Sequence, residues 1–280
     1  MAKTVFLHYT QEELNRNFDQ RSWVSNALEV IARYPVLSAA TRARFEHRAN
    51  VPYGSGPDET VDIFPARNGG PVQVFVHGGA WRNFSKDDYA FPVDAYVPAG
   101  INTVVVNFTN LPKVRLPEMV DQVRRAIEWV YRNARSFGGD PEQLYLSAQS
   151  SGAHLSAMAL TMDNFAKAAT LVSGPYYLEP VMLSKRSDYV KLSEAEVREL
   201  SPGLQAHRIR CPVIVGYAEN DTDEFQRQSR EFAAALDKAG RLTRLMRLPG
   251  VNHFELMECF RDPAHPLVRA ILEQTGVGRR

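Results

Sequence analysis

The stretch Leu144-Tyr-Leu-Ser-Ala-Gln-Ser150-Ser-Gly-Ala-His-Leu155 decides the fold of this chain. An apolar, strand-like run ends in small residues, and a helical run from Ala153 to Met162 begins at once. A serine on so sharp a turn lies in strained backbone, and small residues two positions before and two positions after it let the chains pass. Ala148 and Gly152 occupy these positions, so the pattern A-x-S-x-G marks Ser150 as the candidate nucleophile.

Two neighbouring serines compete with Ser150 for this role. Ser147 has glycine at neither flanking position, and Ser151 directly precedes Gly152, which is the wrong register. An ordinary small-residue turn between a strand and a helix is the structural alternative. If Ser150 is the nucleophile, the helix N-terminus behind it directs backbone N–H groups and partial positive charge at a developing oxyanion.

Outward from this turn, short apolar or β-branched runs alternate with helical patterns from about residue 59. Nearly continuous apolar strands that alternate with helices indicate a mostly parallel central sheet with helices on both faces. The class is therefore α/β, and the serine turn predicts the α/β-hydrolase fold within it. The predicted strands are 60–64, 72–76, 103–108, 144–148, 168–172, 212–217 and 243–248, and the clearest helices are 119–134 and 223–238.

The chain shows no internal repeat, low-complexity tract or linker, so residues 1–280 are expected to form a single domain. Residues 1–50 form a helical extension. Within it, residues 11–34 lack proline and glycine and repeat apolar positions at helical spacing. Thr10 and Glu13 predict a capping box at the start, and Pro35 predicts the end. This helix could cap the site or merely cover the sheet edge.

A glycine-rich loop follows the strand 72–76 and reads His77-Gly-Gly79-Ala80-Trp81. Glycines directly after a core strand allow backbone N–H groups to face a cavity. The amides of Gly79, Ala80 and Ser151 are therefore the expected oxyanion donors, with a tight structural turn as the alternative. His77 is interpreted as a hydrogen-bonded support for this loop rather than as a base.

The expected base and acid lie after the last two strands. His253 follows the strand 243–248, and Asp221 follows the strand 212–217. Sites in open α/β sheets form at the carboxyl ends of strands, and the order Ser, Asp, His is that of α/β-hydrolases. Glu219 and Asp223 compete for the acid role. Asp221 is preferred because Asp223 is typical of an N-cap for the next helix.

Aromatic residues follow two of these strands. Trp81 and Phe84 follow the glycine loop, and Tyr176 and Tyr177 follow the strand 168–172. Aromatic walls suit an aryl or otherwise flat apolar small-molecule substrate, so these four are the predicted substrate-binding residues. Packing in the core is the alternative for each of them.

Composition excludes several function classes. The formal net charge is +1 with no basic run, which argues against nucleic-acid binding. No apolar run reaches about 18 residues and no secretory leader is evident, so a cytoplasmic protein without a membrane span is expected. Cys211 and Cys259 are expected as free thiols, with a single bridge as the alternative. No metal-binding or cofactor motif is present, and a homodimer is a default expectation only.

The chain resembles the arylformamidase (kynurenine formamidase) branch of the esterase/lipase α/β-hydrolases over about residues 50–260. The resemblance implies a serine hydrolase acting on an N-formylkynurenine-type aryl formamide. A carboxylesterase, a hydrolase of another small amide and a noncatalytic binding protein of this fold are the alternatives. The matching segments are His77–Trp81, Phe137–Pro141, Ala148–Leu155, Ser173–Pro180 and Ser201-Pro202.

The sequence departs from this branch near the nucleophile and after the next strand. Ala148 and Gln149 replace the usual Gly-His, and Ser151 replaces alanine. Tyr177 stands where the branch has aspartate. The catalytic residues are intact, so these changes concern the choice of substrate.

Overall fold

The structure, a computed structural model, describes residues 3–163 and 165–277. Within these ranges a short ribbon of β1 (Thr4–Phe6) and β2 (Tyr9–Thr10) precedes an eight-stranded sheet. The strands of the large sheet are β3 (Arg48–Pro52), β4 (Thr60–Phe64), β5 (Gly70–Val76), β6 (Asn102–Val106), β7 (Gly139–Gln149), β8 (Ala168–Val172), β9 (Val213–Ala218) and β10 (Leu242–Leu248).

The sheet confirms the predicted α/β-hydrolase fold. Its strand order is β10-β9-β8-β7-β5-β6-β4-β3, parallel from β10 to β6 and antiparallel through β4 and β3. All seven predicted strands are present. Six of them differ from the prediction by at most two residues at either end, and β7 begins at Gly139, earlier than the predicted residue 144. The strand β3 was not predicted, because an edge strand exposed along most of its length carries no apolar pattern.

Helices cover both faces of the sheet. They are α1 (Gln11–Asn17), α2 (Gln20–Trp23), α3 (Ala27–Arg44), α4 (Val93–Tyr96), α5 (Leu116–Asn133), α6 (Ser151–Met162), α7 (Glu179–Leu183), α8 (Ser187–Val190), α9 (Glu194–Glu199), α10 (Asp223–Lys238), α11 (Glu255–Cys259) and α12 (Pro266–Thr275). Short 3₁₀ turns lie at Lys86–Asp88, Ala134–Phe137 and Pro202–Arg208.

Successive residues of the central strands point into two separate cores. Val74 belongs to the cluster that contains α5, α6 and α10, whereas Phe75 belongs to the cluster with α3 and α12. This alternation is the period of two that a β-strand imposes. A sheet buried on both sides therefore needs apolar residues at nearly every strand position, as this sequence has.

The N-terminal extension differs from its prediction. The capping box of Thr10 and Glu13 is confirmed, but the single helix over residues 11–34 is three helices, and Pro35 lies inside α3 instead of ending it. A proline in a helix costs about 3 kcal/mol. Here α3 buries a continuous face that includes Tyr34 and Thr41, and packing of that face outweighs the local cost.

Both cysteines are free and buried. Across residues 3–163 and 165–277, every helix is too short or too polar to span a membrane.

Candidate active site

Ser150 lies at the turn between β7 and α6. Its backbone has φ of 56° and ψ of −128°, a conformation that residues with side chains rarely adopt and that tight elbows impose. Gly152 makes the close approach possible, because a Cβ there would lie 2.3 Å from the carbonyl oxygen of His77. Ala148, two residues before the serine, is buried in β7 beside Val76. The extra methyl group of Ala148 is therefore accommodated.

Ser150, His253 and Asp221 form one chain of hydrogen bonds. The Ser150 hydroxyl lies 3.0 Å from Nε2 of His253, and Nδ1 of the same ring lies 2.7 Å from Oδ1 of Asp221. An ionised carboxylate only accepts, so Nδ1 carries the proton and Nε2 is free to accept from the serine. All three side chains are buried. The arrangement can raise the nucleophilicity of one hydroxyl.

The rival serines lie elsewhere. Ser147 is fully buried within β7, where its hydroxyl accepts from the Gln73 amide at 2.7 Å. The hydroxyl of Ser151 is buried without a partner among the described residues. Neither hydroxyl is hydrogen-bonded to His253 in the described part of the chain.

The structure brings Asp221, and neither of its rivals, against the histidine. Oδ2 of Asp221 accepts from the Ser173 hydroxyl and from the amide of Ala218, the latter at 3.0 Å. Glu219 instead accepts from Arg247 and the amide of Gly250. Asp223 is exposed in the first turn of α10.

The N-cap of α10 is Thr222, so the expectation that Asp223 caps this helix was wrong by one residue. The N-cap is defined by extended backbone just before the helix, and Thr222 has φ of −61° and ψ of 153°.

Two residues that were not predicted as part of the site hold these groups in place. The Gln149 side-chain amide donates to the backbone carbonyl of His253 and lies 3.1 Å from its Nε2. Ser173 donates to Asp221 from the residue after β8. Both stand at the carboxyl ends of neighbouring parallel strands, and this position is the signal that could have identified them.

The loop after β5 presents free backbone amides. Gly79 has φ of 127°, and Ala80 has φ of 53°. The Gly79 carbonyl accepts from the amides of Arg82 and Asn83, which closes the loop into a tight turn. Within the described part of the chain, no acceptor takes the amides of Gly79, Ala80 or Ser151. These N–H groups are therefore available to an oxyanion.

Two other histidines support this loop. Burial lowers the pKa of His77 and of His154 to about 4, so both rings are neutral at pH 7. His77 donates from Nδ1 to the Gly78 carbonyl and stacks on Phe108 with ring centroids 4.3 Å apart. His154 donates from Nε2 to the Leu200 carbonyl and accepts from the indole N–H of Trp81.

A cavity of about 820 Å³ opens over Ser150 and His253. Of the four predicted substrate-binding residues, Phe84 alone lines it in the described structure. The wall also contains aromatic rings that the sequence analysis did not single out: Phe18, Tyr34, Tyr89, Tyr189 and Phe254.

The expectation for Trp81, Tyr176 and Tyr177 is corrected by the structure. Trp81 is 1% exposed, its indole N–H donates to His154, and it is not among the residues that line the cavity. After β8 the chain turns toward α10, where Tyr176 stacks on Phe232 with ring centroids 4.1 Å apart. Tyr177 packs against Gly203, and its backbone amide donates to Gln228 at 2.8 Å. These rings are core packing.

The N-terminal extension forms one side of the cavity. It is tied to the loops that carry the acid and the base by side-chain hydrogen bonds. Thr222 donates to the Asn17 carbonyl at 2.8 Å, and the Tyr34 hydroxyl donates to the Phe254 carbonyl at 2.6 Å. The lining residues from this extension are Glu12, Asn15, Arg16, Phe18, Asp19, Gln20, Arg21, Ser22 and Tyr34.

Comparison with known proteins finds a matching family model and relatives named as a formamidase and an esterase. The family model described as BD-FAE matches residues 62–179. Kynurenine formamidase from Salmo salar is 31% identical over 288 residues, which cover 95% of this chain and 97% of that protein. Esterase LipQ from Mycobacterium tuberculosis is 31% identical over 283 residues, which cover 88% of this chain and 66% of that protein.

Solved structures share the fold at lower identity. An esterase from Pyrobaculum calidifontis superposes with a TM-score of 0.71 at 17% identity and covers 94% of this chain and 97% of that one. At this identity the likeness concerns the fold alone.

Proposed function

We propose that this chain, which belongs to the kynurenine formamidase-like branch of the esterase/lipase α/β-hydrolases, is a serine hydrolase that cleaves an aryl formamide. As a member of this branch, the protein is a hydrolase of esters or amides. The observation that carries the proposal is the buried chain of hydrogen bonds from Ser150 through His253 to Asp221, with distances of 3.0 Å and 2.7 Å.

In the first half of the reaction, His253 Nε2 takes the proton of Ser150 while Oγ attacks the substrate carbonyl carbon. The amides of Gly79, Ala80 and Ser151 donate to the oxyanion. Each such donor is worth about 3 to 4 kcal/mol in the transition state. The imidazolium, stabilised by Asp221, then protonates the leaving amine or alcohol, and the bond from that group to the acyl carbon breaks.

In the second half, a water molecule attacks the acyl group on Ser150. His253 takes a proton from this water, the tetrahedral intermediate collapses, and the same proton returns to Oγ as the acid leaves. For a formamide the released acid is formate. The residues used in the two halves are the same, so the site needs no rearrangement between them.

Two observations favour an aryl formamide over other substrates. Kynurenine formamidases from Salmo salar and Danio rerio are similar in sequence to this chain over nearly its whole length. The cavity wall is rich in aromatic rings, among them Tyr34, Phe84 and Phe254, which suit a flat leaving group. The N-terminal extension serves as the cap of this cavity.

Hydrolysis of aryl or alkyl esters is the second candidate. It is favoured by the esterases among the relatives and by Ala148 and Gln149, which depart from the Gly-His of the formamidase branch. Because Gln149 touches His253, a change at this residue affects the catalytic centre directly.

The test compares N-formylkynurenine with short- and medium-chain p-nitrophenyl esters, with Ser150→Ala as the control. We expect kcat/KM for the formamide to exceed that for every ester and the variant to be inactive on all of them. Turnover of esters alone would leave the serine mechanism in place and overturn the formamide. Full activity in pure Ser150→Ala would overturn the mechanism.

A further inference from the structure

The side-chain amide of Gln149 has one fixed orientation beside His253. Its Nε2 lies 3.1 Å from the backbone carbonyl oxygen of His253, and a carbonyl oxygen can only accept a hydrogen bond. Its Oε1 lies against Gly78, where a Cβ atom would come within 2.6 Å of it. An inverted amide would set two acceptors against each other at the His253 carbonyl. The NH₂ end of the amide therefore stays at the histidine.

A second N–H of this amide shares its acceptor with the nucleophile. Nε2 of the His253 ring lies 3.1 Å from Nε2 of Gln149 and 3.0 Å from Oγ of Ser150. A neutral imidazole that carries its proton on Nδ1 has a single lone pair on Nε2. In the resting site, two donors thus meet one lone pair.

Transfer of the Ser150 proton to His253 removes this acceptor. Once Nε2 of the ring is protonated it donates, so the second N–H of Gln149 loses its partner. The amide cannot turn to offer Oε1, because the His253 carbonyl holds its NH₂ end. Gln149 lines the cavity over Ser150 but is only 3% exposed, so little water replaces the lost acceptor. An acceptor that arrives only at this stage of the reaction is therefore stabilised there.

The leaving atom of the substrate arrives at this stage. It is bonded to the carbon that Ser150 has attacked, and it must lie about 3 Å from Nε2 of His253 to take the proton. An ester oxygen in the tetrahedral intermediate has two lone pairs, so it can take the proton with one and accept from Gln149 with the other. An amide nitrogen has one lone pair there, and the proton uses it. The donor of Gln149 therefore assists an oxygen leaving group and gives nothing to a nitrogen one.

We propose that Gln149 donates a hydrogen bond to the leaving oxygen and thereby favours esters over amides of the same acid. The inference rests on the proposed function, since it uses the acyl transfer by Ser150 and His253. In this step the bond from carbon to the leaving oxygen breaks, and its electron pair goes to that oxygen. The oxygen takes the proton from His253 Nε2 while it accepts from Gln149. The carbonyl re-forms as the acyl-enzyme, and the alcohol or phenol departs.

The proposal is tested with phenyl acetates whose phenols differ in acidity and with the pair phenyl formate and formanilide, which differ only in the leaving atom. The measured quantity is kcat/KM, because it reports the half of the reaction in which the leaving group departs. Gln149→Met keeps the length of the side chain and removes its donors. In this variant the ratio of the p-nitrophenyl to the p-methoxyphenyl ester should rise about tenfold, the size of one hydrogen bond to a developing charge. The ratio of phenyl formate to formanilide should fall by a similar factor.

Gln143→Met is the matched control. Gln143 lies earlier on β7, where its amide donates to Asp140, and this variant should keep the wild-type ratios. If Gln149→Met does not fold, Gln149→Glu decides by the same ratios, since it keeps the size of the side chain and replaces the donor by an oxygen. An equal loss for every ester is what a merely structural role would cause, and it overturns the proposal. Failure of wild-type protein to hydrolyse formanilide and N-formylkynurenine, with the ester ratio shifted as expected in the variant, would count against the aryl formamide alone.

Discussion

His154 makes the stability of this protein depend on pH. An ordinary histidine titrates near pH 6.5, whereas complete burial lowers the pKa of His154 to about 4. Because the folded pKa lies below the unfolded one, the stabilising contribution is fully present above pH 6.5 and is lost as the pH falls toward 4. Protonation also turns Nδ1 into a donor, and this breaks the hydrogen bond that Nδ1 accepts from Trp81 in the loop after β5.

The size of the effect follows from the two pKa values. Between pH 7 and pH 5 the unfolded chain takes up most of a proton at this histidine, while the folded chain takes up almost none. One pKa unit corresponds to about 1.4 kcal/mol. Proton uptake by His154 in the unfolded chain should therefore lower the free energy of unfolding by about 2 kcal/mol between pH 7 and pH 5.

Urea unfolding of the wild type and of His154→Gln at pH 7 and pH 5 measures this contribution. Glutamine keeps a donor for the Leu200 carbonyl and does not titrate. The loss of stability on acidification should be about 2 kcal/mol smaller in the variant. His207→Gln, at an exposed histidine, is the control. If the variant loses as much stability as the wild type, the reasoning about the neutral buried ring is refuted.

Three further predictions concern the site and its supports. Asp221→Asn should lower kcat on p-nitrophenyl acetate by about 10³- to 10⁴-fold without changing the circular dichroism spectrum, because asparagine favours the wrong tautomer of His253; an equal rate would exclude Asp221 as the acid. Gly152→Val should lower Tm strongly or prevent folding, since its Cβ would lie 2.3 Å from the His77 carbonyl; a wild-type melting curve would contradict the close approach. Tyr34→Phe removes the hydrogen bond to the Phe254 carbonyl and should lower the free energy of unfolding in urea by about 1 kcal/mol. An unchanged free energy of unfolding would show that this bond does not hold the N-terminal extension in place.

The fold and the three central residues could be predicted for one physical reason. A parallel sheet buried on both faces requires continuous apolar strands, and these are visible in the sequence. The carboxyl ends of such strands lie along one edge of the sheet, so the residues after β7, β9 and β10 are expected at that same edge. Chain order and residue type then identified Ser150, Asp221 and His253 as the candidates.

The cavity wall could not be predicted in the same way. Whether Tyr176 points into the cavity or toward α10 depends on backbone angles after the strand, and no pattern in the sequence encodes them. Arg186 lies in an irregular segment, and it meets Gln20 only because the N-terminal extension folds across the sheet. The extension itself was predicted as one helix because local periodicity cannot reveal the breaks that tertiary packing imposes near Asp19 and Asn26.

The most direct test of the central claim is covalent labelling with a fluorophosphonate, followed by peptide mass spectrometry. We expect one label per chain, on Ser150, with activity lost in proportion to labelling and no label in His253→Gln. A label on Ser147 or Ser151, or full activity with Ser150 modified, would contradict it.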